Sequence, residues 1–381
     1  MIRRILIVSE DYPPYPGGVA QWAAGMALAL SRRGHSVTVL SRERGTPAAE
    51  PGAESLTLRT IRGRRWRQFR SWHFRRAAGA LLDREPQDLV IATTWNAARG
   101  IAGPVLRRGG RLACVAHGLE VTRRMPGLKR LWLAHTLRRC ECVIAVSAFT
   151  RDSLREGFRI DPDRLFLLSN GVDPSVFRPG LDASRVRERH GLLDRRVILT
   201  LARVVERKGH DLVIRALPQI LSRVPDAVYL VAGPGEAGLL NRLRRLADEL
   251  GVGSAVVFAG SLPGDEVPLY YNACEVYVMP SRVLAASGDT EGFGITFLEA
   301  NACGKPVVGG RSGGVADAIE DGITGFLVDP ADPGDLAEKI LILLANPDRA
   351  RAMGQAGRGR VQELHTWDRI AALLSDRLKL D

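Results

Sequence analysis

Short apolar runs separated by helix-length amphipathic stretches recur along all 381 residues, and the series stops once and starts again. Such runs, bounded by turn residues, read as buried strands, and their alternation with helical patterns makes βα units with mainly parallel sheets. The first series places strands near residues 5–9, 37–41, 56–60, 89–92, 112–116, 143–147 and 165–168. The second opens at Val197-Ile198-Leu199-Thr200-Leu201 and continues near 228–232, 255–259, 276–279, 306–308 and 325–328. A chain of this length exceeds what one core usually supports, so the restart implies two doubly wound α/β domains. Residues 170–195, with Pro174, Pro179 and mixed charges, read as the linker, and the chain from Asp332 onward is helical apart from a break at Asn346-Pro347. The expected division is residues 1–175, residues 190–363 and a closing segment 364–381. Two sheets of this type facing each other would leave a deep cleft, with ligands bound where the strand ends converge.

Composition narrows the class. With 45% apolar and 25% charged residues the chain is an ordinary globular protein. Ile2-Arg3-Arg4-Ile5-Leu6-Ile7-Val8 is basic then apolar, but Glu10-Asp11 and Pro13-Pro14 cut it short, so it reads as a first strand rather than a signal peptide. No segment approaches the roughly 20 apolar residues of a membrane span. Cys114, Cys140, Cys142, Cys274 and Cys303 lack Cys-x-x-Cys spacing and read as buried reduced thiols of a cytoplasmic protein.

The net charge of +12 is concentrated: between Leu56 and Arg139 there are 19 Lys or Arg against four acids, an excess of 15. Its densest part, Arg62 to Arg76, interleaves seven arginines with Trp66, Phe69, Trp72 and Phe74. Cations meet lipid phosphates and aromatic rings sit at the interface, so this stretch suits an anionic membrane surface and a peripheral position at the inner face of the cell membrane. A solvated basic helix is the plainer alternative. No nucleic-acid-binding motif accompanies it, and nucleic acid is not expected as a partner.

The most specific chemistry lies at residues 291–299, Glu-Gly-Phe-Gly-Ile-Thr-Phe-Leu-Glu, which follow the strand Val276-Tyr277-Val278-Met279. A helix starting near Gly294 and running through Ala302 puts Glu291 on the loop and Glu299 on the helix. Loops at the carboxyl ends of parallel strands line ligand crevices, and the amides of Gly294 and Ile295 at the positive helix end suit a phosphate. The two carboxylates then suit hydroxyl-rich groups on either side of it, such as a ribose and a hexose. Glutamates on a solvated face are the alternative, but the glycines at 292 and 294 and the apolar residues 295–298 leave only Thr296 as another polar anchor.

Three further positions point the same way. Pro13-Pro14-Tyr15-Pro16-Gly17-Gly18-Val19 precedes a helix reaching about Arg33, and a glycine pair there lets backbone approach an anion. It lacks the spacing of a nicotinamide site and of a P-loop. Ala202-Arg203-Val204-Val205-Glu206-Arg207-Lys208-Gly209 follows the first strand of the second series. Arg203 and Lys208 together suit a diphosphate leaving group and would neutralise the charge that builds on it. Ala116-His117-Gly118 ends another strand, and His117 is a candidate general base or hydroxyl-orienting group, or simply a structural histidine. No cluster has metal-ligand spacing, so metal-independent chemistry with Arg203 and Lys208 in the cation's place is expected.

In order and spacing these residues resemble the retaining glycosyltransferases of family 4. The resemblance rests on Glu291 to Glu299 and the continuation to Gly314, with Pro16-Gly17-Gly18, His117-Gly118, Ser169-Asn-Gly-Val-Asp173, Arg203, Lys208-Gly209 and Asp321-Gly-Ile-Thr-Gly-Phe-Leu-Val328 in support. It covers nearly the whole chain and looks closest to bacterial mannosyltransferases acting on phosphatidylinositol mannosides. It implies the GT-B fold of two Rossmann-like domains, an acceptor domain first and a donor domain second, with the C-terminal helix crossing back to the first. It implies GDP-mannose as first donor and a UDP-hexose as second, a lipid or glycan acceptor, no bound cofactor and no metal. By that likeness Glu299 binds ribose, Glu291 contacts the donor hexose, and Phe293, Gly294 and Ile295 offer backbone to the sugar and phosphates. Arg203 and Lys208 hold the diphosphate, Gly17 and Gly18 approach it, His117 sits beside the transferred sugar, and loops around Gly260 to Pro263 meet the base. The catalytic set would be His117, Arg203, Lys208 and Glu291. Ala202 stands where the family often has glycine, a small departure. A sugar-nucleotide epimerase, a phosphorylase or a non-catalytic sugar-nucleotide or lipid-binding scaffold are the competing classes. No segment resembles the lysine site of a pyridoxal phosphate phosphorylase.

Overall fold

The computed structural model describes residues 3–15, 17–42, 55–61 and 70–380, with the side chains of 70–74 left aside. Pro16 and residues 62–69 of the arginine-aromatic stretch therefore lie outside the described residues. The chain divides into two compact units, residues 1–171 with 367–381, and residues 172–366.

The first unit holds β1 (Arg4–Val8), β2 (Ser36–Arg42), β3 (Leu56–Ile61), β4 (Leu89–Ala92), β5 (Arg111–Ala116), β6 (Cys142–Ala145) and β7 (Leu165–Leu167). They form a sheet in the order β3-β2-β1-β4-β5-β6-β7 with every pairing parallel. Central strands such as Leu89–Ala92 are buried throughout, as a sheet covered by helices on both faces requires. At the edge, β3 is only partly buried.

The second unit repeats the plan with β8 (Arg196–Leu201), β9 (Ala227–Ala232), β10 (Val256–Gly260), β11 (Val276–Met279), β12 (Val307–Gly310) and β13 (Gly325–Val328), ordered β10-β9-β8-β11-β12-β13 and again parallel. Each sheet thus reverses its strand order once, between β1 and β4 and between β8 and β11. At such a switch point the flanking loops leave in opposite directions and open a crevice at the strands' carboxyl ends.

Within residues 170–195 the structure shows more order than a linker. Residues 172–189 belong to the second unit, and Asp182 turns the chain into the helix Ser184–Arg189 by accepting from the Ser184 amide and hydroxyl. Arg187 fastens that helix by donating to the carbonyls of Ala273, Leu192 and Arg195. At the other end, the helix Trp367–Leu378 joins the first unit, where the Trp367 indole fills space left by Gly25 and Gly171. All five cysteines are free and buried. Among the described residues no helix is long and apolar enough to cross a membrane.

Candidate active site

The loops after β8 and β11 meet at the switch point of the second unit. The β8 loop carries Arg203 and closes in the 3₁₀ turn Glu206–Lys208, and Gly209 in the left-handed region starts the helix His210–Leu221. The β11 loop carries Glu291 and ends at Gly294, also left-handed at φ 90°, which starts the helix Ile295–Ala302. A Cβ at Gly294 would lie 2.6 Å from the Phe297 ring, so both backbone and packing call for glycine there. The Arg282 amide donates to the Arg207 carbonyl at 2.8 Å, and the Gly314 amide donates to the Glu291 carbonyl at 2.9 Å, which pins the β11 loop on two sides.

Glu291 and Lys208 come together: the Lys208 Nζ stands 2.6 Å from the carboxylate, and a second cation, Arg207, donates to the same oxygen. Reading the sequence by itself missed Arg207. The signal available was its position between Glu206 and Lys208 in a turn that brings neighbouring side chains to one side. The Lys208 ammonium also lies 3.1 Å from the Met279 Sδ at the end of β11. Burial lowers the Lys208 pKa, and the nearby Arg207 and Arg203 charges add to this against the pull of Glu291. Burial would raise Glu291, but Lys208 and Arg207 outweigh it and hold the carboxyl at about 2. The lysine is therefore one of two buried cations on one carboxylate, and exposed Arg203 is near enough to add its charge at Lys208. Glu291, which holds two of these cations, lies on the loop that leads through Gly294 into the helix Ile295–Ala302, whose first-turn N–H groups have no intrahelical acceptors. This combination suits a polyanion such as a diphosphate.

The low Glu291 pKa has a consequence for acid stability. A carboxyl held at about 2 against an ordinary 4.5 stabilises the fold fully above the ordinary value and loses that contribution as pH falls toward 2. The unfolding free energy of Glu291→Gln from urea titrations is expected to fall less steeply than that of wild type over that window, by about 3 kcal/mol in all. Parallel pH profiles would exclude the buried pairing.

Glu299 is 2% exposed, and the Tyr271 hydroxyl donates to its Oε2 at 2.6 Å. Tyr277 donates to the Thr296 hydroxyl at 2.7 Å, so Thr296 is oriented by the aromatic floor. The rings of Tyr271, Tyr277 and Phe297 follow one another in tilted and edge-to-face contact at 5.6 and 5.5 Å between centroids. Beneath the β8 loop, Tyr229 donates to Thr200 at 2.9 Å and its oxygen lies 2.9 Å from His210 Nδ1. These tyrosines were not singled out from the sequence, where they read as ordinary strand and helix residues. Phe293 is buried and its ring lies 6.3 Å from that of His365, leaving its backbone as the part that a ligand could use.

The remaining candidates lie in the first unit. Gly17, at φ 141°, precedes the helix Gly18–Arg32, and among the described residues a methyl at either glycine would meet no atom within 4 Å. His117 follows β5, with the edge of Trp22 against its ring at 6.3 Å between centroids. Its amide donates to Glu120 Oε1 at 2.5 Å. Burial lowers the His117 pKa to about 4, against a hydrogen bond to the Thr93 backbone that favours the charged form. The imidazole is then neutral at pH 7 and, with its conjugate acid at about 4, a weak base, which suits the orienting of a hydroxyl better than the taking of a proton.

Residues 182–360 match the family model for glycosyl transferases group 1, and residues 16–176 match that for glycosyltransferase family 4. A GDP-mannose-dependent alpha-(1-6)-phosphatidylinositol monomannoside mannosyltransferase of Mycolicibacterium smegmatis is 36% identical over 384 residues, 98% of each chain. The protein of the same description in Mycobacterium tuberculosis is 34% identical over 390 residues, 99% of this chain and 98% of its own. In fold, the chain is similar to a sucrose-phosphate synthase from Thermosynechococcus elongatus, with a TM-score of 0.83 at 24% identity over 99% of this chain and 98% of that one.

Proposed function

This chain belongs to glycosyltransferase family 4 and is a glycosyltransferase of GT-B type, and we propose that it transfers mannose from GDP-mannose to a phosphatidylinositol-type glycolipid. The observation that carries the reading is the pairing of Arg207 and Lys208 with Glu291, with the Arg203 charge acting on Lys208, on the loop that leads into the helix Ile295–Ala302. Full-length similarity to relatives described as acting on these substrates supports the choice of donor and acceptor.

In the proposed reaction the bond between the sugar's anomeric carbon and the diphosphate oxygen breaks with its electrons going to the phosphate. The acceptor hydroxyl forms the new bond on the same face and gives its proton to the departing phosphate, so configuration is retained. Arg203, Lys208 and the helix amides neutralise the charge appearing on the leaving group, which gives them the part a metal plays in other transferases. Glu291, kept ionised by its two cations, accepts from donor sugar hydroxyls, and Glu299, held by Tyr271, accepts from the ribose. Phe293, Gly294 and Ile295 offer backbone to the sugar and phosphates. Gly17 and Gly18 admit a phosphate close to backbone, and neutral His117 orients a hydroxyl of the transferred sugar.

A thermal-shift series with GDP, GDP-mannose, UDP and UDP-glucose tests the donor. A ligand at 100 times its Kd stabilises by about 2.7 kcal/mol, and GDP and GDP-mannose are expected to raise the melting temperature by about 5 °C or more. A shift with the uridine compounds alone would replace mannose by a UDP-hexose. Incorporation of labelled mannose into extractable phosphatidylinositol lipid checks the acceptor, and label released from the donor without an acceptor would speak for a different reaction.

A further inference from the structure

We propose that the helix Gly127–Arg138 of the first unit lies on an anionic membrane surface. Leu128, Leu131 and Trp132, at i, i+3 and i+4, form one face and are 59%, 67% and 41% exposed, while Leu133, Ala134 and Leu137 on the other face are buried in the core. Adjacent large apolar side chains on a solvated helix are rare in a chain that stays in water. Their surroundings name the partner. Between Glu120 and Glu141 the sequence has six cations and no acid: Arg123, Arg124, Lys129, Arg130, Arg138 and Arg139. From the neighbouring helix, the Arg99 guanidinium stacks 4.0 Å over the Trp132 ring. Arg130 anchors the element by donating to the Gly157 carbonyl at 2.6 Å.

Leucines and a tryptophan framed by cations match the two halves of a bilayer interface, acyl boundary and phosphate. A nucleic acid would use the cations and leave the leucines in water. None of these residues belongs to the stretch 62–76 or to the set assigned to the donor. It deepens the lipid-acceptor reading, because an enzyme seated this way meets its acceptor in the plane of the lipid, yet it stands on exposure and charge alone.

The test is co-sedimentation of the full chain with vesicles of phosphatidylcholine alone and of phosphatidylcholine with phosphatidylglycerol. Wild type is expected to bind only the anionic vesicles, and less as salt rises. Leu128→Ser with Leu131→Ser should abolish binding, and Arg124→Gln with Lys129→Gln should weaken it about fivefold per cation. Trp132→Phe should remove a vesicle-induced blue shift in fluorescence. The nucleotide-induced thermal shift of each variant, unchanged from wild type, shows that it is folded and keeps this result apart from that for the donor. No binding by wild type overturns the proposal. So does binding that both double variants retain, which would move the contact elsewhere, for example to residues 62–76. A wild type that runs as a dimer, with the leucine variant monomeric and vesicle binding unchanged, gives the face to a second copy of the chain and equally overturns it.

Discussion

Lys208→Ala is expected to keep its fold and lose about 10²–10³ in turnover, the usual cost of removing one preorganised group that stabilises developing charge. The lysine holds two positions at once. Its ammonium pairs with Glu291 at 2.6 Å, and it belongs to the cation group that would face the leaving phosphate. Alanine removes both contributions, but Arg207 remains on Glu291, so the carboxylate is not stranded and the fold should lose only about 1–3 kcal/mol. Turnover with the nucleotide sugar and the melting curve of the same sample separate the two effects. The conservative Lys208→Arg is expected to restore less than a tenth of the activity, because a forked guanidinium does not fit where one nitrogen sits between Met279 Sδ and Glu291. Activity of Lys208→Ala within about tenfold of wild type would remove the lysine from charge stabilisation, since the effect expected is 10²-fold at least.

The largest stability effect is expected at the next residue. Gly209 sits at φ 75°, and a methyl there would lie 2.2 Å from the Pro280 carbonyl oxygen and 2.9 Å from its carbon. Both obstacles are backbone, so neither can swing aside, and the left-handed conformation adds about 1–2 kcal/mol for any residue with a Cβ. Gly209→Ala should destabilise the second unit by about 3–5 kcal/mol and lower its melting temperature by about 10 °C. Gly238→Ala is the matched control. It lies in the helix Ala237–Glu249, no described residue stands within 4 Å of its added methyl, and stability should rise by about 0.5–1 kcal/mol. A Gly209→Ala protein as stable as wild type would mean that the loops after β8 and β11 do not close on each other as described. Because Arg207 and Lys208 immediately precede this contact, the same variant should also weaken nucleotide binding.

How much of this was legible beforehand depended on the range of the interaction. Strand positions, the restart at Val197 and the helix opening at Gly294 all follow from hydrophobic period and turn chemistry within a dozen residues. Glu291, Glu299 and Lys208 could be chosen because their spacing and glycine neighbours are local. Their partners could not. Arg207 and Glu291 are 84 residues apart, and Tyr271 reaches Glu299 across 28. Those pairs exist because β8 and β11, far apart in sequence, become neighbours where the strand order reverses. His117 shows the same division: its place at a strand end is local, whereas its neutrality comes from burial near Trp22.

The sequence by itself therefore determined the two α/β series, the order of their elements and the residues able to meet an anion and a sugar, since each depends on short-range backbone and patterning rules. Only the tertiary structure decided which charges pair, that Lys208 acts within a cluster rather than alone, that residues 172–189 belong to the second unit and that Leu128, Leu131 and Trp132 remain in solvent. Those outcomes depend on packing between segments distant in the chain, and hydrophobic period carries no record of which distant surface a side chain will meet.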